Sequence, residues 1–430
     1  MKTVLKNAVL LPEYGYGTKP VCVCVDGSRI VAVGAEIPED FCAEETVDCR
    51  EDLLIPAFYN THCHAAMTLF RGYGEDLPLQ RWLDERILPA EDRLSDRSVR
   101  IGTRLAIAEM LRGGIASFSD MYMFEESVAE EVLNSGIKAN LSRSIVSFDP
   151  DADPVADFRV AETESLVKNY HMADDGRIRA DVSLHAEYTN VPKMCAFLAD
   201  YAAERGLRMQ LHLSETEKEH REGIGRRKKT PAAFFRDLGV FDVPTTAAHC
   251  VFVSEEDIAI LAEKHVTVSH NPVSNLKLGS GVMPLRRLLD AGVCVAFGTD
   301  GAASNNRLDL LREMQTAAIL HKGTSRNPAE VTAKELFPLA TRNGALAQGR
   351  EDCGSIRVGN RADLTLLDAH SLCNLPCYDP YAMLAYSMER ADVRLTMVDG
   401  RILYRDGAYT SIDEERLRCE AREVLSHYFD

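Results

Sequence analysis

Apolar and polar positions fall into three textures along the chain. In residues 1–52 they alternate with period two in short runs. Residues 21–25 lead into the turn Asp26-Gly27-Ser28 and then Arg29–Gly34, which is a hairpin signature. The same texture returns near the other end, in residues 355–367, in Val393–Val398 with the turn Asp399-Gly400, and in residues 401–404 followed by Asp406-Gly407. This alternation predicts one small β-sandwich domain assembled from both termini, residues 1–52 and 355–412. Residues 413–430 form a charged amphipathic tail. A helix is expected there over residues 413–429, with Asp413 as its N-cap and Glu414-Glu415 in its first turn.

The middle, residues 53–354, has a different period. An apolar run beginning Leu53-Leu54-Ile55-Pro56-Ala57-Phe58 and ending Asn60-Thr61-His62-Cys63-His64 reads as one buried strand. A helix is expected from near Pro78, carrying Trp82, Leu83, Ile87 and Leu88. A second covers residues 96–111 and stops at Gly113-Gly114. Further strands are expected at residues 115–118, 139–146, 178–184, 207–213, 246–248, 266–268 and 293–297. Eight strands alternating with helices predict an α/β fold of the (β/α)₈, TIM-barrel type. An open doubly wound sheet is the alternative, but no Gly-rich phosphate loop follows the first strand.

Composition narrows the class. The 430 residues are 46% apolar and 27% charged, as in a soluble globular protein. A net charge of −17 repels polyanions, which argues against nucleic acid and anionic membranes as partners. The basic run Arg226-Arg227-Lys228-Lys229 reads as a solvated loop. The N-terminus lacks a signal-peptide core, and no apolar run approaches the ~20 residues that span a bilayer. The twelve cysteines show no paired framework, which suits free thiols in the cytoplasm. Cys22-x-Cys24 has no second pair at finger spacing and reads as strand packing. A homo-oligomer is compatible with these totals.

Candidate chemistry lies at the expected strand ends. Residues two apart on a strand share a face, so His62 and His64 project together and can ligate a metal. Later strands end at His185, at His212 with Glu215, at His249, at His270 and at Asp300. In a barrel the C-terminal strand ends carry the chemistry. His62, His64, one later histidine and an aspartate would make a nitrogen-rich site with one carboxylate, suited to Zn²⁺ or Fe²⁺. A bridged pair of metals would usually need a lysine at the end of strand four, and residues 179–185 contain none, so one divalent metal is expected. His171, His220, His265, His321, His370 and His427 read as surface or structural.

Several stretches together carry a resemblance. They are residues 60–68 through Arg71-Gly72, Trp82-Leu83, Pro89-Ala90-Glu91, His212-Leu213-Ser214-Glu215-Thr216, Ala248-His249-Cys250, residues 269–275 and residues 298–306. On these the chain resembles the amidohydrolase superfamily, and within it the S-adenosylhomocysteine/5′-methylthioadenosine deaminases. The resemblance implies that His62, His64, His212 and Asp300 bind one divalent metal, Zn²⁺ first and Fe²⁺ as the alternative. It implies that Glu215 is the proton shuttle and that His249 orients the water, with Asp300 assisting. It implies that Glu91 holds the ribose hydroxyls and that Arg143 and His185 make further substrate contacts. Arg159 is the candidate for an additional arginine contact. Cys63 stands where the pattern has Thr, and strand alternation turns it away from the metal. The activity implied is hydrolytic deamination of a small nucleoside: 5′-methylthioadenosine, S-adenosylhomocysteine, 5′-deoxyadenosine or adenosine. Related guanine, pterin and triazine aminohydrolases share the metal motifs, so another aminated heterocycle is the alternative substrate. A non-catalytic scaffold would be expected to lose ligands, and none is missing here.

Overall fold

The computed structural model describes residues 1–428, with side chains through Ser426. The eight barrel strands are Phe58–Cys63, Ile115–Tyr122, Lys138–Ile145, Val182–Leu184, Met209–Leu213, Thr245–His249, Thr267–His270 and Val295–Phe297. Each neighbouring pair runs parallel. Nearly every strand residue is buried, because side chains fill the interior on one face and helices cover the other. The eighth strand closes on the first through the loop beyond it. The amides of Thr299 and Asp300 donate to the His62 carbonyl at 3.2 and 3.0 Å, and Asn60 exchanges hydrogen bonds with Thr299. The (β/α)₈ architecture read from the pattern is therefore the observed one.

The run expected as a single first strand is two strands. Leu53–Pro56 pairs antiparallel with Leu364–Leu367 in the small domain, and the barrel strand begins at Phe58. Leu54 packs into the core of the small domain and Phe58 into that of the barrel. The strand Leu53–Pro56 is buried on both faces, with Leu54 in the small-domain core and Leu53 and Ile55 in the barrel core, so no polar residue marks the crossing. The expected fourth strand also divides, into Ile178–Ala180 and Val182–Leu184. Between them the buried Asp181 accepts hydrogen bonds from Asn140 at 3.0 Å and Gln210 at 2.9 Å.

The small domain is a sandwich. One sheet orders Arg29–Gly34, Val21–Asp26, Lys2–Ala8 and Glu45–Asp48. The other orders Ala408–Tyr409, Arg401–Arg405, Val393–Val398, Leu364–Leu367 and Leu53–Pro56. Leu5, Val23, Val25, Leu364, Leu366 and Met397 meet between them. Lys138, at the start of the third barrel strand, fastens this domain to the barrel end remote from the histidines. Its buried ammonium lies 2.6 Å from Asp363 and 2.7 Å from Asp399.

The terminal helix is Glu414–Tyr428, capped by the Asp413 carboxylate, which accepts from the Arg416 amide at 3.0 Å. Its expected last residue, Phe429, and the side chain of His427 lie outside the described residues. Of the basic run, Lys228 and Lys229 lie exposed past a helix end, as a solvated loop would, but the two arginines do not. Arg226 and Arg227 end the helix Glu217–Arg227, and both reach the buried carboxylate of Glu187 at 2.6 Å. A buried carboxylate needs cationic partners, and these two supply them. Cys24 packs inside the strand Val21–Asp26. Among the described residues, no helix is long and apolar enough to cross a membrane.

Candidate active site

Parallel strands bring their C-terminal ends to one rim. There the imidazoles of His62, His64, His212 and His249 and the Asp300 carboxylate converge. The Nε2 atoms of His62 and His64 lie 3.5 and 3.2 Å from Asp300 Oδ1. The ring of His62 is 4.8 Å from that of His212 and 5.4 Å from that of His249. Donor atoms of His62, His64 and Asp300, and of His62, His212 and His249, fall within 4.8 Å of one another, close enough to hold one ion. Cys63, between the two histidines, is buried in the apolar packing around the barrel, as strand alternation requires.

The rings are held by their far nitrogens. Nδ1 of His64 pairs with the Met121 carbonyl, Nδ1 of His212 with the His185 carbonyl and Nδ1 of His249 with Asn275 Oδ1, each at 2.8 Å. A proton on each Nδ1 leaves Nε2 as a lone-pair donor aimed at the common centre. Asp300 is fixed by Ser274 and Ser304, whose hydroxyls donate to Oδ2 at 2.6 and 2.8 Å, and by the Gly301 amide on Oδ1 at 2.8 Å. Both His249 and Asp300 adopt left-handed backbone, φ 75° and 60°, a strain of about 1–3 kcal/mol each. Gly298 lies too close for any side chain, since a Cβ there would sit 2.4 Å from Asn271 Oδ1 and 2.9 Å from His62 Cβ.

These groups fit a divalent cation. Buried His62 Nε2 makes no hydrogen bond, an exception in a folded interior unless an ion answers it. Burial pushes His62 down to about 4 and His212 well below the usual range, so both are neutral, as ligation needs. Burial pushes His64 down too, but Asp300 more than reverses this, to about 9. The space between them therefore favours a positive charge. Nitrogen donors with one carboxylate suit a borderline-soft ion.

Glu215 sits beside this cluster, with Oε2 3.9 Å from His249 Nε2 and Oε1 accepting from the Ser280 hydroxyl at 3.3 Å. Burial raises its pKa. The turn that carries it is clamped by Glu219, whose carboxylate accepts the amides of Ser214 at 2.9 Å and Glu215 at 2.8 Å. Glu219 is not evident from the sequence, where it looks like one more solvated glutamate. The Thr216-x-x-Glu219 spacing at a helix start was the available signal. Burial pushes Glu219 up to about 7.

A cavity of about 400 Å³ opens onto these residues. Glu91, Arg143, Arg159 and His185 all line it, together with Trp82, so every residue singled out for substrate contact reaches one space. Glu91 accepts a 2.6 Å hydrogen bond from the Tyr122 hydroxyl, and burial raises its pKa. Neither Tyr122 nor Asn275 is marked by the sequence as a partner. The His185 ring lies 4.8 Å from that of His212. His270 is not in the site. Its neighbour Ser269 points inward to Thr61, while His270 points outward, with Nε2 3.0 Å from Nε2 of His321.

Residues 53–403 match the family model described as the amidohydrolase family. The chain belongs to the amidohydrolase family. A 5-methylthioadenosine/S-adenosylhomocysteine deaminase from Dictyoglomus thermophilum is 43% identical over 377 residues, 88% of each chain. A 5′-deoxyadenosine deaminase from Methanosarcina mazei is 39% identical over 424 residues, 98% of this chain and 97% of its own. Among solved structures, an adenosine deaminase from Xanthomonas campestris with bound zinc superposes with a TM-score of 0.92. It is 32% identical, over 99% of this chain and 98% of that one. The Lys138 anchor and the rim of histidines thus lie at opposite ends of an amidohydrolase barrel.

Proposed function

We propose that the chain is a metal-dependent aminohydrolase that converts a 6-aminopurine nucleoside to its inosine analogue and ammonia. The observation that carries this reading is the rim cluster of His62, His64, His212 and Asp300, with Glu215 and His249 beside it, opening onto a cavity that also holds Glu91. The names of the relatives, deaminases of 5-methylthioadenosine, S-adenosylhomocysteine and 5′-deoxyadenosine, support the same substrate class.

His62, His64, His212 and Asp300 would hold one divalent cation, Zn²⁺ before Fe²⁺, in keeping with the zinc in the Xanthomonas structure. When bound, such an ion supplies Lewis acidity that brings the ionisation of water from a pKa of about 16 toward ~7–9. Glu215 takes a proton from the attacking water and gives it to the ring nitrogen next to the amino-bearing carbon. Its raised pKa suits both halves of that transfer. Oxygen adds to the carbon as the ring nitrogen is protonated, and the amine then leaves with a second proton as ammonia. His249, its Nδ1 tied to Asn275, presents Nε2 to fix the direction of attack. Asp300, held by two serine hydroxyls, helps pass the second proton. Glu91 accepts both ribose hydroxyls, and the Tyr122 hydroxyl holds the carboxylate in place. Arg143 and His185 complete the substrate contacts.

All twelve cysteines are unpaired, which supports a cytoplasmic setting. An ultraviolet assay of metal-loaded protein across 5′-methylthioadenosine, S-adenosylhomocysteine, 5′-deoxyadenosine and adenosine tests the activity. Conversion of at least one of them to its inosine analogue is expected. The absence of any spectral change across the panel would refute it.

A further inference from the structure

The two arginines in the cavity wall are already matched by carboxylates. Arg143 donates from Nε to Glu162 at 2.5 Å and from Nη1 to the Ser144 carbonyl at 2.6 Å. Arg159 donates from Nη1 to both oxygens of Asp157, at 3.2 and 3.0 Å. Asp157 is not free to swing away, because it caps the helix Phe158–Tyr170 and its Oδ1 also accepts the Arg159 amide at 2.8 Å. Both guanidinium charges are thus balanced from within the chain.

The ring of Phe158 lies close to both arginines, 4.5 Å from the Arg159 guanidinium carbon and 5.9 Å from that of Arg143. It is 58% exposed, an unusual state for an aromatic side chain on a cavity wall. Leu79, Leu83 and Leu88 line the same cavity. An apolar group placed here covers Phe158 and the leucines. An amino-acid end placed here brings a carboxylate that must share a guanidinium with Asp157 or Glu162, adding a second anion beside the first, and an α-ammonium that meets the same two guanidinium charges.

Resting on the nucleoside reading above, we propose that this cavity selects nucleosides whose 5′ substituent is uncharged and apolar over those whose 5′ substituent ends in an amino-acid carboxylate. The discriminating residues are Asp157 and Glu162, acting through Arg159 and Arg143, with Phe158 as the apolar platform. They are positioning residues for the arginines and need not touch the substrate.

The test is a comparison of kcat/KM on metal-loaded protein for 5′-methylthioadenosine, 5′-deoxyadenosine and S-adenosylhomocysteine. Both uncharged substrates are expected to exceed S-adenosylhomocysteine by about tenfold or more, the scale of one mismatched contact. Two variants then test the cause. Glu162→Gln removes one balancing charge, and Asp157→Asn removes the other while keeping a good helix cap. In each the ratio is expected to fall severalfold, through a lower KM for S-adenosylhomocysteine. Equal or better turnover of S-adenosylhomocysteine by the unaltered protein would overturn the inference, as would a ratio that moves in neither variant. Turnover of none of the three nucleosides would overturn the nucleoside reading and this inference with it, a result distinct from a reversed ratio.

Discussion

Replacing Glu219 by alanine removes the acceptor of two buried amides at the turn that carries Glu215. Those amides, of Ser214 and Glu215, lie 2.9 and 2.8 Å from the carboxylate. Each buried N–H left unpaired costs about 1–3 kcal/mol. Ser214 is also held at φ 47°, a left-handed conformation that costs about 1–3 kcal/mol and persists only while its surroundings enforce it. Without Glu219 the turn is expected to relax, carrying the Glu215 carboxyl away from His249. A shift of about 1 Å at a reacting group costs about 10²-fold in rate. Glu219→Ala is therefore expected to lower kcat for the best nucleoside by about 10²-fold with little change in KM. Metal content should stay at the unaltered level, because Glu219 touches no ligand side chain. Glu219→Gln, which keeps one acceptor oxygen, should fall between. Steady-state kinetics, metal analysis and a thermal melt check these together. A kcat within twofold of the unaltered protein would refute the clamp. A parallel loss of metal would show that the effect runs through the ligands instead.

Three further outcomes are expected. Glu91→Ala should raise KM for the nucleoside by about 10- to 100-fold, the worth of hydrogen bonds to a charged group, and Tyr122→Phe should move KM the same way by less. Unchanged KM in Glu91→Ala would remove the ribose contact and favour an aminated heterocycle without a sugar. His62→Ala and Asp300→Ala should leave the purified protein with under about one-tenth of the metal of the unaltered chain, since losing one of four ligands abolishes most of the affinity; full loading would refute the ligand set. Burial pushes Glu313 up to about 8. The folded state therefore binds a proton that the unfolded state has released above about pH 4.5, and stability drains away as pH rises from there to about 8. Glu313→Gln, uncharged throughout, should show a flatter fall in melting temperature between pH 5 and 8. An identical slope in the two proteins would refute that assignment.

The sequence by itself determined what depends on local period and residue type. The switch from period two to alternating strand and helix marked the barrel between two β segments. Parity along one strand put His62 and His64 on a common face and turned Cys63 away, and Asp413 caps its helix with its own carboxylate. Ionisable groups at successive strand ends pointed to the rim because parallel strands in a barrel all end on the same side. The tertiary structure decided whatever depends on partners distant in the chain. The run from Leu53 changes sheets at Ala57, from the small domain's to the barrel's, and hydrophobicity cannot mark the change because both strands are buried on both faces. His270 stands at a strand end like the others but faces His321, because only the register of its strand decides which of Ser269 and His270 points inward. Tyr122 holds Glu91 across 31 residues, and Asn275 holds His249 across 26. Glu219 and Glu187 look like surface charges in the sequence. They are buried acceptors in the fold, because a carboxylate can leave water wherever backbone amides or guanidinium groups meet it, and only the packed chain brings those donors to it.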